Sequence, residues 1–200
     1  MIAIFDYGAG NLRSVENTLD SIEVEYSLVN DSAGLDAAER IILPGVGHFG
    51  QLLRSLDSLG VRETLNKRIG AGVPFLGICL GLQALYEGSD EAPDLDGLGV
   101  YPGRVRRFSD ELTVPQMGWN RLEPVGSPRL LNGVGKDPYV YFANSYYVPA
   151  EVSGERAAAL ANYGRPFTAA VESDNVFAVQ FHPEKSGPVG QQIVRNFLAC

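Results

Sequence analysis

Along the first half of the chain, short apolar runs alternate with segments whose apolar residues recur every three or four positions. Ile2 to Asp6 is a strand-like run, followed by the glycine-rich Tyr7-Gly8-Ala9-Gly10-Asn11. A helical pattern then carries Leu12, Val15, Leu19 and Ile22 on one face. Val24 to Val29 predicts a second strand with partial alternation. Arg40 to Pro44 predicts a third, which ends at Gly45-Val46-Gly47. Gln51 to Leu59 and Val61 to Ile69 read as helices, and Val73 to Ile78 as a fourth strand. Strands that are apolar throughout and alternate with helices predict a parallel sheet covered on both faces. After Gly97 the spacing tightens: Val100 to Phe108, Val114 to Leu122, Tyr139 to Asn144, Ala157 to Tyr163, Phe167 to Ser173 and Val176 to Phe181 all read as strands. They predict added antiparallel sheet, closed by a helix over Val189 to Leu198. The expected class is α/β, as a single domain over residues 1–200.

Ligands in such sheets sit at the carboxyl ends of the strands, where the loops at Gly8, Gly45 and Cys79 emerge. The stretch Gly77-Ile78-Cys79-Leu80-Gly81 has the G-x-nucleophile-x-G spacing of a strand-to-helix elbow. Good helix formers follow from Leu80 to Tyr86. Glycines at both flanks let the chain turn sharply, and a helix start offers unpaired amides and a dipole that favour the thiolate. A small buried apolar cysteine satisfies the same spacing. The Gly8-Ala9-Gly10 turn has Arg13 where the third glycine of a dinucleotide fingerprint belongs and lacks a P-loop lysine, so it is expected to be a tight strand-to-helix turn.

A cysteine nucleophile needs a base, and the base needs an orienting group. The chain has two histidines. His48 lies in a glycine-rich loop with no carboxylate nearby in sequence. His182 ends an apolar strand and is followed by Pro183-Glu184. Residues two apart in an extended segment share a side, so Glu184 is expected beside the His182 ring. An oxyanion would be held by the Leu80 N–H at the elbow and by N–H groups of Gly45, Val46 and Gly47, if that loop is more than a tight turn after Pro44.

The formal net charge of −8 over 200 residues argues against nucleic acid or an anionic membrane as the main partner. Arg104, Arg106 and Arg107 form a basic knot, expected to be a solvated strand edge. No apolar run reaches membrane-spanning length, and Met1 leads into a strand with no charged leader, so neither a membrane span nor a signal peptide is expected. Cys79 and Cys200 make no disulfide scaffold, which fits a cytoplasmic setting. Cys200, the last residue, is expected to fray. No metal-ligand spacing occurs.

Three blocks together resemble the class I (triad) glutamine amidotransferases: Leu43-Pro44-Gly45-Val46-Gly47, Gly77 to Gln83, and Gln180-Phe181-His182-Pro183-Glu184-Lys185-Ser186. Asp6 to Asn11 and Pro115-Gln116-Met117-Gly118-Trp119-Asn120 resemble, within them, the glutaminase subunits of imidazole glycerol phosphate synthase. The likeness runs end to end. It implies a flavodoxin-like fold with Cys79 as nucleophile, His182 as general acid/base and Glu184 as its orienter. It also implies that Gln83 meets the carboxylate end of a bound L-glutamine, and that Glu91, Ser145 and Tyr146 meet its α-amino and backbone groups. No cofactor is implied. The implied partner is a (β/α)8 cyclase that consumes the ammonia. Tyr139, Tyr141, Phe142, Tyr146, Tyr147 and the Pro115 to Asn120 segment are its docking candidates, with core packing as the other reading. Members of such a family hydrolyse little glutamine until the synthase is loaded, so the peptide after Gly45 or Val46 is expected to be mis-aimed at rest. One departure is Asn144, in Phe142-Ala143-Asn144-Ser145-Tyr146, where the family usually has histidine. It can hydrogen-bond but carries no charge. Other readings of the same residues are a glutaminase subunit for pyridoxal phosphate or aminobenzoate synthesis, a cysteine peptidase or γ-glutamyl hydrolase, and a binding module with a degenerate elbow.

Overall fold

The computed structural model describes residues 1–8 and 12–200, so Gly10 of the predicted turn, with Ala9 and Asn11, lies outside the described residues. In chain order the elements are β1 (Ile2–Phe5), α1 (Leu12–Ser21), β2 (Tyr26–Val29), α2 (Ser32–Ala37), β3 (Arg40–Gly45), α3 (Phe49–Ser58), α4 (Arg62–Gly70), β4 (Phe75–Cys79) and α5 (Leu80–Gln83). There follow β5 (Tyr86–Ser89), β6 (Ala92–Asp96), β7 (Tyr101–Arg107), β8 (Gln116–Arg121), β9 (Glu123–Pro124), β10 (Tyr139–Asn144) and β11 (Tyr146–Pro149). The chain closes with α6 (Ala150–Ser153), β12 (Ala157–Asn162), β13 (Pro166–Ser173), β14 (Val176–Val179) and α7 (Gly187–Leu198).

The main sheet runs β2-β1-β3-β4-β14-β13-β11-β7-β5-β6. From β2 to β14 the neighbours are parallel, and β13 joins β14 antiparallel, so the expected antiparallel region extends the parallel core through one shared strand. Side chains alternate across the pleat: Ala3 and Phe5 enter one buried layer beneath α3 and α4, and Ile4 enters the other, which α1 and α7 cover. A separate ribbon pairs β8 with β10, with Trp119 opposite Tyr141 and Gln116 opposite Asn144.

Several expectations give way to tertiary pairing. The elbow helix, expected through Tyr86, ends at Gln83 because the carbonyls of Ala84 and Leu85 accept instead from Leu98 and Tyr101 N–H at 2.7 and 2.9 Å. That diversion starts β5 and β6, which the helical propensity of Leu80 to Tyr86 hides. The short α2 carries only Leu35 as a buried residue, too few for a visible period, and is started by the Asp31 carboxylate on Gly34 N–H at 2.7 Å. The arginine knot is not at an edge. β7 lies between β11 and β5, and Arg106 and Arg107 ion-pair with Asp90 and Asp110. Cys200 does not fray: its carbonyl accepts from Arg40 Nη2 at 3.0 Å and its thiol faces Asn196 O at 3.2 Å.

Candidate active site

Cys79 is the last residue of β4 and has φ 54° and ψ −103°, a conformation that side-chain-bearing residues rarely adopt. Close backbone packing imposes it. A Cβ at Gly81 would sit 2.1 Å from Leu43 O, and one at Gly77 would sit 2.6 Å from the Gly81 carbonyl group. The elbow therefore forms only with glycine on both sides of the cysteine. Leu80 heads α5, so its N–H has no acceptor within the helix.

β14 is hydrogen-bonded in parallel to β4, with Val179 opposite Ile78, and this brings the residues after it past the elbow. His182 is extended (φ −100°, ψ 96°), and its backbone N–H donates to Tyr141 O at 2.8 Å. Pro183 then opens a single 3-10 turn, Pro183–Lys185, so Glu184 reaches the ring by a turn rather than by strand alternation. Glu184 Oε1 lies 2.7 Å from His182 Nδ1, with both side chains buried. The carboxylate accepts the Nδ1 proton, leaving Nε2 for the sulfur. Burial works to lower the His182 pKa. The Cys79 sulfur and the Glu184 carboxylate outweigh it by hydrogen bonding and charge, and the pKa is raised from 6.5 to about 10.

Cys79 and His182 open into a cavity of about 360 Å³ that is also lined by Val46, Gly47, Leu80, Gln83, Glu91, Ser145 and Tyr146. Gly45 sits behind this wall in β3, paired with Cys79. One Glu91 oxygen accepts from Phe49 N–H at 2.7 Å, at the start of α3. Gln83 donates from Nε2 to Tyr146 O at 3.1 Å and to Gln180 Oε1 at 3.0 Å, which uses both amide hydrogens. What Gln83 keeps is Oε1, buried and without a partner. That oxygen can accept an N–H but cannot serve a carboxylate. Asn144 donates from Nδ2 to the same Tyr146 carbonyl at 2.9 Å, and its Oδ1 is likewise buried and unpartnered.

His48 takes no part in this cavity. Its Nδ1 accepts from Gly50 N–H at 3.0 Å and caps α3. Tyr7, at the carboxyl end of β1, bears directly on the proposed oxyanion loop. The Val46 N–H donates to Tyr7 Oη at 3.2 Å, and the phenol donates back to Val46 O at 3.4 Å. Burial raises the Tyr7 pKa to about 12, against the lowering hydrogen bond to Val46.

Residues 3–200 match the model of the family "Glutamine amidotransferase class-I". The imidazole glycerol phosphate synthase subunit HisH of Methanothermobacter thermautotrophicus is 50% identical over 198 residues, covering 99% of this chain and 98% of that protein. The HisH subunit of Deinococcus radiodurans is 43% identical, covering 98% of this chain and 92% of that one. The chain belongs to the class-I glutamine amidotransferase family, in its HisH branch. Among solved structures, a glutamine amidotransferase crystal structure covers 99% of the chain with TM-score 0.78 at 22% identity. PurLQS from Thermotoga maritima gives 0.76 at 21%. These two speak for the fold alone. As a HisH-family amidotransferase, the chain has the α/β architecture expected of it and carries the enzyme class that its three signature blocks imply.

Two residues beside the thiol carry contacts that sequence reasoning did not assign. Tyr7 holds the Val46 peptide, and Gln180 donates from Nε2 to Cys79 Sγ at 3.5 Å. The signal for Gln180 is its place two residues before His182 in the sequence. Among the described residues no cluster of potential ligands could hold a metal ion, and no helix is long and apolar enough to cross a membrane.

Proposed function

We propose that this chain is the glutaminase subunit of an imidazole glycerol phosphate synthase, supplying ammonia to a (β/α)8 cyclase subunit in histidine biosynthesis. The observation that carries the chemistry is the line Glu184, His182, Cys79 at the cavity wall, with 2.7 Å between Glu184 Oε1 and His182 Nδ1. Cys79 Sγ attacks the side-chain amide carbon of L-glutamine, and the C=O electrons move onto oxygen. Leu80 N–H donates to that oxyanion. His182 gives its Nε2 proton to the departing nitrogen, and the C–N bond breaks to leave ammonia and a glutamyl thioester. Water attacks the thioester while the same Nε2 takes its proton. Glutamate leaves and the sulfur is restored.

Gln83 Oε1, Glu91, Ser145 and Tyr146 are the proposed contacts to the amino-acid end. The second oxyanion donor comes from Gly45 to Gly47. Because the Val46 N–H is spent on Tyr7 Oη, this peptide must turn before it serves, which supports a resting state of low activity.

The docking face we propose is the β8–β10 ribbon. Met117 and Trp119 are 67% and 57% exposed, and Tyr139 is 52% exposed. Phe142 and Tyr147, by contrast, are buried and belong to the core. Trp119 packs edge-on against Tyr141, and Lys185, at the cavity rim, lies 5.8 Å from the Tyr141 ring. The exposed aromatic face thus runs to the mouth of the cavity, where ammonia must leave unprotonated. Mixing the chain with a cyclase subunit and offering glutamine or ammonium tests the reading. Cys79→Ala should abolish turnover with glutamine and spare turnover with ammonium. Loss of both, or of neither, contradicts it.

A further inference from the structure

We propose that Gln180 is a catalytic residue of the glutaminase reaction, donating an amide N–H to the Cys79 sulfur, and that Gln83 and the Tyr146 carbonyl set the direction of that donation. Gln180 is fully buried, one residue past β14 and two before His182. The chain bends at Gln180 and Phe181 directly after β14, and the donor and the base, two residues apart, both face the one sulfur. Gln180 Nε2 is 3.5 Å from Cys79 Sγ.

The two ends of an amide look alike in shape, so the direction of such a contact needs an independent anchor. Here one exists. The Tyr146 carbonyl can only accept, so Gln83 must turn Nε2 toward it at 3.1 Å. The second hydrogen of that same Nε2 points to the Gln180 side chain at 3.0 Å, which must therefore present Oε1. With Oε1 committed, Gln180 has only N–H left for the sulfur. One backbone carbonyl thus fixes two side-chain amides in series, and the last of them faces the nucleophile as a donor.

A donor at the sulfur favours the thiolate over the thiol, and it stays in place as the sulfur leaves the acyl carbon. The elbow helix is only four residues long, so aligned helix amides offer the sulfur little, and a buried side-chain donor matters more. Gln83 acts through Gln180 and is a positioning residue for it, in addition to its open Oε1.

The assignment rests on Cys79 being the nucleophile, and its test reads the sulfur itself. In a Cys200→Ser background Cys79 is the only thiol, and its alkylation rate by iodoacetamide is followed against pH in the full chain. Gln180→Met, similar in length but without a donor, should move the midpoint of the profile up by about one pH unit or more. Gln180→Glu keeps the acceptor that Gln83 needs and replaces only the donor, and should move it further. Gln83→Met, which frees the Gln180 amide to rotate, should give a smaller shift in the same direction. In the unsubstituted chain the Gln180 side-chain amide resonances should move as Cys79 titrates, which decides the matter even if a variant fails to fold. An unchanged midpoint in a folded Gln180 variant, or resonances blind to the thiol, overturns the proposal. Alkylation needs no glutamine, so that failure is distinct from a failure of the glutaminase reading, which Cys79→Ala decides.

Discussion

Replacing Tyr7 by phenylalanine removes one oxygen and leaves the ring in its buried place at the end of β1. That oxygen bonds the Val46 peptide, accepting from N–H at 3.2 Å and donating to the carbonyl at 3.4 Å. A neutral hydrogen bond of this kind contributes about 1 kcal/mol net to the conformation that contains it. In Tyr7→Phe the resting orientation loses that contribution, and an orientation with the N–H facing Cys79 does not. The population or barrier separating them therefore shifts by about 1 kcal/mol, roughly a fivefold gain in glutamine hydrolysis in the absence of cyclase ligand. In the loaded complex, where the peptide has already turned, the rate should be unchanged. The stimulation ratio then falls about fivefold from the resting side alone. The assay couples glutamate release to glutamate dehydrogenase, with and without a nucleotide ligand on the cyclase subunit. A thermal melt should record a loss of roughly 2–4 °C for the missing bond. A resting rate that stays flat, or falls in step with the loaded rate, refutes the idea that Tyr7 restrains the oxyanion peptide.

Glu184→Gln keeps the shape beside His182 and removes the charge, and glutamine turnover should drop by about 10²–10⁴-fold with ammonium-dependent turnover intact. The same variant tests the titration. The folded His182 pKa, about 10, lies above the unfolded value of 6.5, so its contribution is full below about pH 6.5 and is lost as pH rises through 10. The gap in urea midpoint between wild type and Glu184→Gln should accordingly narrow from pH 6.5 to pH 10, and a gap that widens would reverse the sign. Gly81→Ala drives a Cβ to 2.1 Å from the Leu43 carbonyl oxygen, a clash that only a backbone shift can relieve. We expect a loss of about 3 kcal/mol or more in denaturant unfolding, and a variant as stable as wild type would contradict the close elbow packing. Trp119→Ala, at an exposed site, should change stability by less than about 0.5 kcal/mol yet weaken cyclase binding at least about tenfold by calorimetry. Unaltered affinity would move the docking face elsewhere.

The chemistry-bearing residues were readable because each sits in a local pattern with a physical cause. Cys79 is flanked by glycines that only a tight elbow needs, and His182 stands at the end of an apolar strand two residues from Glu184. The parallel half was readable for a similar reason: β1, β4 and, after Arg40, β3 are buried on both faces and so carry unbroken apolar runs. Strand spacing puts Glu184 beside His182, whereas the contact is made by a turn at Pro183.

Other features depend on what lies across the fold. Whether Leu80 to Tyr86 stays helical is decided by Leu98 and Tyr101, which capture the carbonyls that would extend it. Whether an aromatic residue of the ribbon is core or surface depends on which side of β10 meets β13: Phe142 packs on Phe167, while Tyr139 faces out. The engagement of Val46 by Tyr7, and of the thiol by Gln180 through Gln83, joins residues far apart in the chain. By itself the sequence determined the elbow and the neighbouring His182 and Glu184, because glycine spacing and short sequence separation act over a few residues. Only the tertiary structure decided which donors and acceptors around the sulfur are free, because a hydrogen bond is satisfied by whatever the fold brings within about 3 Å.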